Sequence, residues 1–241
     1  MSLNASKQSK ILVLLLPMVI LSILFWVKFS DHRTYRYLVN EDGLIEYATF
    51  LAYSLACLIA VYGYFSIRKQ NLRMVGKYLL FLSAACLFVA GEEISWGQRI
   101  FGFNNPEFFS QNSVQKETNI HNLRNIAEHV NLVFIGLGLV MTLGCIFHLL
   151  LSNTTQNTKL VALHPFLPHW SLFFYFLPTL AFFIYIEFLF PSIYWWDIKF
   201  KEQEPVEFIL SLGMLFYVSY LVFKTPTSPE PNYSTPKRQG E

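Results

Sequence analysis

Apolar residues fill six long stretches of the chain, 11–29, 44–67, 77–96, 130–151, 170–190 and 206–223, with charges and turn residues between them. A hydrocarbon core takes about 20 residues of helix to cross, so the pattern predicts an all-α polytopic membrane protein, a bundle of six transmembrane helices. Among the polar connections, only 97–129 is long enough for structure of its own. Its first part, Phe101-Gly102-Phe103-Asn104-Asn105-Pro106, has turn chemistry. Further on, Ile120, Leu123, Ile126 and Val130 recur on one helical stripe and Glu117, His121, Arg124 and Glu128 on another. That period predicts an amphipathic loop helix over 118–129, at the interface or running directly into the fourth span.

The organisation that follows is a tail at 1–10, one membrane domain at 11–223 containing the outer loop 97–129, and a second tail at 224–241. Pro226, Pro229, Pro231 and Pro236 stand among Ser, Thr and charges in that last segment, which is expected to be disordered. Lys7 and Lys10 precede the first apolar run as in a secretory signal. Lys28-Phe29-Ser30-Asp31 follows it in place of a small-residue cleavage site, so an uncleaved anchor is expected.

Composition agrees with a lipid environment: 54% of residues are hydrophobic and 14% charged, against roughly a quarter charged in soluble domains. Assigning the connections to alternating sides puts ten of the eighteen basic residues on one side, including the cluster Arg68-Lys69-Arg73-Lys77, with only Glu230 and Glu241 for acids. Basic residues near span ends stay inside. Both termini are therefore expected in the cytoplasm, in a cell (inner) membrane, with the acidic motifs on the extracytoplasmic face. Cys57, Cys86 and Cys145 fall in separate spans and read as packing residues. No nucleic-acid motif, phosphate-binding glycine loop or nucleophilic-serine signature is present, and no nucleic-acid partner is expected.

The candidate chemistry centres on Gly91-Glu92-Glu93-Ile94-Ser95-Trp96-Gly97-Gln98-Arg99. Glu46, Glu128 and Glu207 sit at the amino ends of spans, where the helix dipole favours an acid and capping explains them. Glu92 and Glu93 sit at the carboxyl end of the third span, where the same dipole opposes them. They call for a cation: Arg99, seven residues on and on the Glu92 face if the helix continues, Arg124 from the loop, a divalent metal, or a proton of their own. On the loop helix, His121 and Asn125 are four residues apart, with His129 one turn further. His and carboxylate side chains make a plausible divalent-metal set, here His121, His129 and Glu92. Glu187, deep in the fifth span, forms an opposite acidic wall.

The paired glutamates and aromatic of Glu92-Glu93-Ile94-Ser95-Trp96 resemble the motif of the CAAX-processing type of intramembrane endopeptidase, and His121-x3-Asn125 is similar to its later His-x3-Asn pattern. The resemblance covers about five residues of 241, Gly97 stands where an arginine is expected, and no Phe-x3-His occurs. What it implies is hydrolysis within a membrane. The expectation is an enzyme at the outer membrane–water boundary, acting on a lipid-linked or membrane-peptide substrate, with Glu92, Glu93 and His121 catalytic and Trp96, Arg99, Arg124, Asn125 and Glu187 holding substrate. A proton- or cation-coupled transporter and a noncatalytic assembly subunit are the alternatives. The transporter is disfavoured because the central stretches 51–61, 79–89 and 134–145 carry no Asp, Glu, Lys, Arg or His.

Overall fold

The computed structural model describes residues 7–40, 42–68, 73–152, 166–189 and 202–224. The expectation for the tail beyond Lys224 lies outside the described residues. Within them the chain is helical throughout, apart from turns and one isolated antiparallel bridge between Ser113 and Leu123. Among the described residues six helices are long and apolar enough to cross a membrane, which makes this an integral, multi-pass protein of the all-α class.

In chain order the helices are α1 (Lys7–Ser30), α2 (His32–Val39), α3 (Leu44–Arg68), α4 (Arg73–Glu93), α5 (Gln98–Phe101), α6 (Glu107–Asn112), α7 (Arg124–Ala127), α8 (Val130–Ser152), α9 (Phe173–Ile184) and α10 (Gln203–Lys224). A π-helical turn, Tyr185–Leu189, extends α9. The short α2 begins at Asp31, whose carboxylate accepts the backbone N–H groups of Arg33 and Thr34, both at 3.1 Å. Acceptance of these orphan donors by an N-cap side chain starts the helix.

α3 shows how such helices pack in lipid. Its small residues Ala52, Ala56 and Ala60, four apart, are buried, whereas Leu51, Leu55, Leu58 and Phe65 are exposed. Small side chains inward bring the backbones close, and large ones outward meet hydrocarbon. α3 packs chiefly on α4 and α10, and α9 packs on α8 and α10. Gly138 of α8 lets two helix backbones approach closely: a Cβ there would lie 2.8 Å from the Leu180 nitrogen of α9. Leu79, Leu82, Cys86, Phe176, Ile209 and Leu210 fill the centre.

Polar groups collect at the two ends of this apolar core. At one end the start of α3, the finish of α4 and the start of α10 converge beside α2. There Glu202 joins three elements, bonding Lys28 Nζ at 2.7 Å and accepting the Tyr35 hydroxyl at 3.0 Å. At the other end His148 Nε2 lies 3.0 Å from the Tyr220 hydroxyl, and the His148 and His169 rings are 4.7 Å apart.

Candidate functional site

The third span ends at Glu93 rather than near Trp96, because the next residues leave right-handed helical space. Ser95, Trp96 and Gly97 have φ of 48°, 53° and 86°. Gly97 adopts this region freely, but a left-handed turn costs a residue with a Cβ about 1–2 kcal/mol. Side-chain bonds offset that cost at the other two. Ser95 Oγ donates to Glu117 Oε2 at 2.8 Å, and Trp96 Nε1 donates to Glu92 Oε1 at 2.6 Å. The Trp96 ring also covers Gly91, where a Cβ would come within 2.9 Å of it.

This break redirects Arg99. Instead of sharing a face with Glu92, its guanidinium turns back over the end of α4, donating to the Glu93 carbonyl at 2.6 Å and to Glu46. Glu117 Oε1 lies 3.5 Å and Asp42 Oδ1 3.3 Å from its other nitrogens. A cation on the last carbonyls of a helix is favourable, so the dipole of α4 is answered at its backbone. Burial by itself would lower the Arg99 pKa; the hydrogen bond and charge of Glu46, with Glu117 and Asp42, hold it above its ordinary value. Glu46 also accepts the Asp42 N–H and so keeps its expected capping role as well.

Glu92 is satisfied by the loop. Its Oε2 accepts the backbone N–H groups of Ile120 at 2.7 Å and His121 at 2.8 Å, and His121 Nδ1 lies 3.2 Å away. Glu92 is buried, whereas 42% of the His121 side-chain surface is exposed. The carboxylate thus fixes an imidazole that still reaches open space.

A third group comprises Glu93, Glu204 and Glu207, whose carboxylate oxygens lie within 4.8 Å of one another. Glu204 and Glu207 share a face of α10, three residues apart. Oxygen-only donors of this kind suit hard cations such as Mg²⁺, Ca²⁺ or Mn²⁺. Among the described residues these ligand atoms lie close enough together to share one ion, a different combination from the histidine set expected above.

All three groups line one cavity of about 380 Å³. Six glutamates border it, Glu46, Glu92, Glu93, Glu117, Glu204 and Glu207, with Arg99 as its basic residue and His121 beside them. Asn40, Gln115, Asn119, Asn122 and Gln203 supply amides. The cavity lies at one end of the bundle, roofed by the loop.

That roof is stitched by its own polar side chains. Thr118 N–H donates to Gln98 Oε1 at 2.6 Å, Asn105 Nδ2 to the Lys116 carbonyl at 2.7 Å, and Asn119 Nδ2 to Glu117 at 2.9 Å. The continuous helix expected over 118–129 is accordingly not formed. With the Ile120 and His121 amides committed to Glu92, helix begins only at Arg124 and lasts one turn. The loop does fold back onto α4, and His121 is carried to Glu92. Arg124, Asn125 and His129 are exposed and do not line the cavity, and His129 is not brought to His121 as a joint ligand. Glu187 accepts a hydrogen bond from Asn131 Nδ2 at 2.8 Å and stands apart from the cavity.

Sequence reasoning misses Glu204 as a site residue, although Glu204-x2-Glu207 at the entry of an apolar helix is a legible signal. Glu117 and Asn119 give none beyond their polarity.

The fold and cavity define a class: a multi-pass α-helical membrane protein with an acidic chamber at one end of its bundle. Comparison with protein-family models, with curated proteins and with solved structures gives no match for the chain.

Proposed function

We propose that the protein is a membrane-embedded hydrolase that activates water through the Glu92–His121 pair and cleaves a lipid-linked or membrane-peptide substrate. The single observation that carries this reading is the Glu92 carboxylate, bound by two backbone amides and the Trp96 indole, lying against His121 Nδ1 in the cavity. A carboxylate on one ring nitrogen orients the imidazole and leaves the other to take a proton.

With the Nδ1 hydrogen toward Glu92, Nε2 accepts a proton from water as the water oxygen bonds to a carbonyl carbon. Collapse of the tetrahedral intermediate breaks the carbon–heteroatom bond, and the leaving group takes that proton. The products are an acid and an alcohol or amine. The negative lining favours an uncharged or cationic electrophile over a bare phosphate, and Arg99 is already engaged by carboxylates. A divalent cation at Glu93, Glu204 and Glu207 would add polarisation of the carbonyl oxygen. Transport fits less well, since the apolar core of Leu79, Leu82, Ile209 and Leu210 closes the chamber from the opposite face.

A labelling experiment tests this without a defined substrate. Purified protein is incubated in H₂¹⁸O with a total membrane extract from cells lacking it, and products are searched by mass spectrometry. Labelled acid should form with the wild type and be lost with Glu92→Gln and His121→Asn. Equal labelling by all three proteins, or none with the wild type, overturns the reading.

The proposal places both termini in the cytoplasm and the chamber outside, in the cell membrane. A cysteine at Asn112 should then react with an impermeant maleimide from outside and one at Thr155 should not; the reverse pattern inverts the orientation.

A further inference from the structure

Exposed apolar side chains outside a span ordinarily occur singly on a water-facing surface. At the beginning of the roof loop they occur together: Trp96 is 47% exposed, Ile100 51% and Phe101 80%. The one-turn helix α5 divides its side chains by polarity. Gln98 and Arg99 turn to the chamber side, where Gln98 accepts the Thr118 amide and Arg99 is held by Glu46 and Glu117, while Ile100 and Phe101 remain uncovered.

The uncovered side continues a surface that hydrocarbon already covers. Leu87 and Phe88 lie within the span Arg73–Glu93 and are exposed on it. Phe88 meets Trp96 edge to face, with ring centroids 5.9 Å apart. Trp96 thereby extends the exposed apolar surface of α4 to the segment that carries Ile100 and Phe101, and its indole N–H is taken up by Glu92. An amphipathic ring with one wet and one apolar side is suited to the headgroup level. An amphipathic segment there buries its apolar face about 5–10 Å into the boundary.

We propose that residues 96–101 are an interfacial anchor, with Trp96, Ile100 and Phe101 seated in the bilayer at the boundary of headgroups and acyl chains. The partner of this surface is lipid, so the roof of the chamber is held to the membrane as well as to α4. This holds whether or not the chamber hydrolyses anything.

The test uses full-length protein with Cys57, Cys86 and Cys145 replaced by alanine, in nanodiscs of phosphatidylcholine and phosphatidylglycerol. Nitroxide labels are placed singly at Ile100 and Phe101, with Phe81 as the lipid control and Gln111 as the water control. Collisions with oxygen and with a water-soluble nickel chelate are read by power-saturation EPR. The ratio of oxygen to nickel accessibility at Ile100 and Phe101 should shift from the Gln111 value toward the Phe81 value. A ratio equal to that at Gln111 overturns the proposal and makes the patch a water-facing surface for a protein partner. Low accessibility to both reagents overturns it too, because the segment is then covered by protein. If the labelled variants fail to fold, a variant with Trp96 as its sole tryptophan gives the same decision. Its emission should be quenched by lipids brominated near the headgroup, and unchanged emission contradicts the anchor.

Discussion

Glu92 Oε2 lies 2.8 Å from the backbone nitrogen of His121 and 3.2 Å from its ring Nδ1, although 29 positions separate the two residues in the chain. One carboxylate oxygen thereby fixes both where the loop lies and how the imidazole is turned. Glu92→Gln can still accept the amides through its carbonyl oxygen but loses the charge facing the ring. The amide nitrogen then faces the Trp96 indole N–H, so a lower thermal midpoint is expected beside a fall in rate of about 10²–10⁴-fold, the usual worth of general acid–base catalysis. Initial rates of ¹⁸O incorporation, with thermal unfolding measured beside them, check this.

Arg99 is a residue expected to matter for stability. Its guanidinium faces Glu46, Glu117 and Asp42 and covers the last carbonyl of α4. Removing one partner from a largely buried ion pair costs about 3–5 kcal/mol. Arg99→Gln should therefore lower the unfolding midpoint in detergent, and adding Glu46→Gln should restore part of the loss. A double variant no better than the single would show that the pair is not the source.

Much of the architecture was legible from the sequence, because the length of an apolar run is set by bilayer thickness and needs no tertiary information. The six spans follow from that alone. The site was legible only in pieces. Glu92, Glu93 and His121 draw notice through their position relative to the helix dipole and through their chemistry, which are local properties. The partnership of Arg99 was not legible, because it depends on the left-handed turn at Ser95 and Trp96, residue types that carry no signal for positive φ. The helical spacing of His121, Asn125 and His129 misleads for a related reason. Ile120 and His121 give their amides to Glu92, a contact from a distant part of the chain, and the period they share with Arg124 then has no helix beneath it.

Ionised together, Glu93, Glu204 and Glu207 would repel one another at this separation, and a bound cation would relieve the repulsion. Adding Mn²⁺ to EDTA-treated protein should raise the thermal midpoint of the wild type, and Mn²⁺ EPR should report the bound ion. Glu204→Gln should remove both responses. A wild type indifferent to Mn²⁺ would leave the trio without a cation-binding role.

Gly138 tests the packing of α8 on α9. A Cβ at that position would meet the Leu180 backbone at 2.8 and 3.0 Å, and backbone cannot rotate aside. Gly138→Ala should destabilise the bundle by about 1–3 kcal/mol, the usual cost of overpacking, while Gly136→Ala, which meets nothing within 4 Å, should leave the midpoint almost unchanged. Denaturant titration of the two variants gives the comparison.

The central claim is that the His121 imidazole takes the proton from water, and chemical rescue addresses it most directly. The side chain is 42% exposed, so a small base can enter the space that His121→Gly vacates. ¹⁸O incorporation should be lost in His121→Gly and return in part, rising with concentration, when imidazole is added. Full activity of His121→Gly without imidazole would contradict the account.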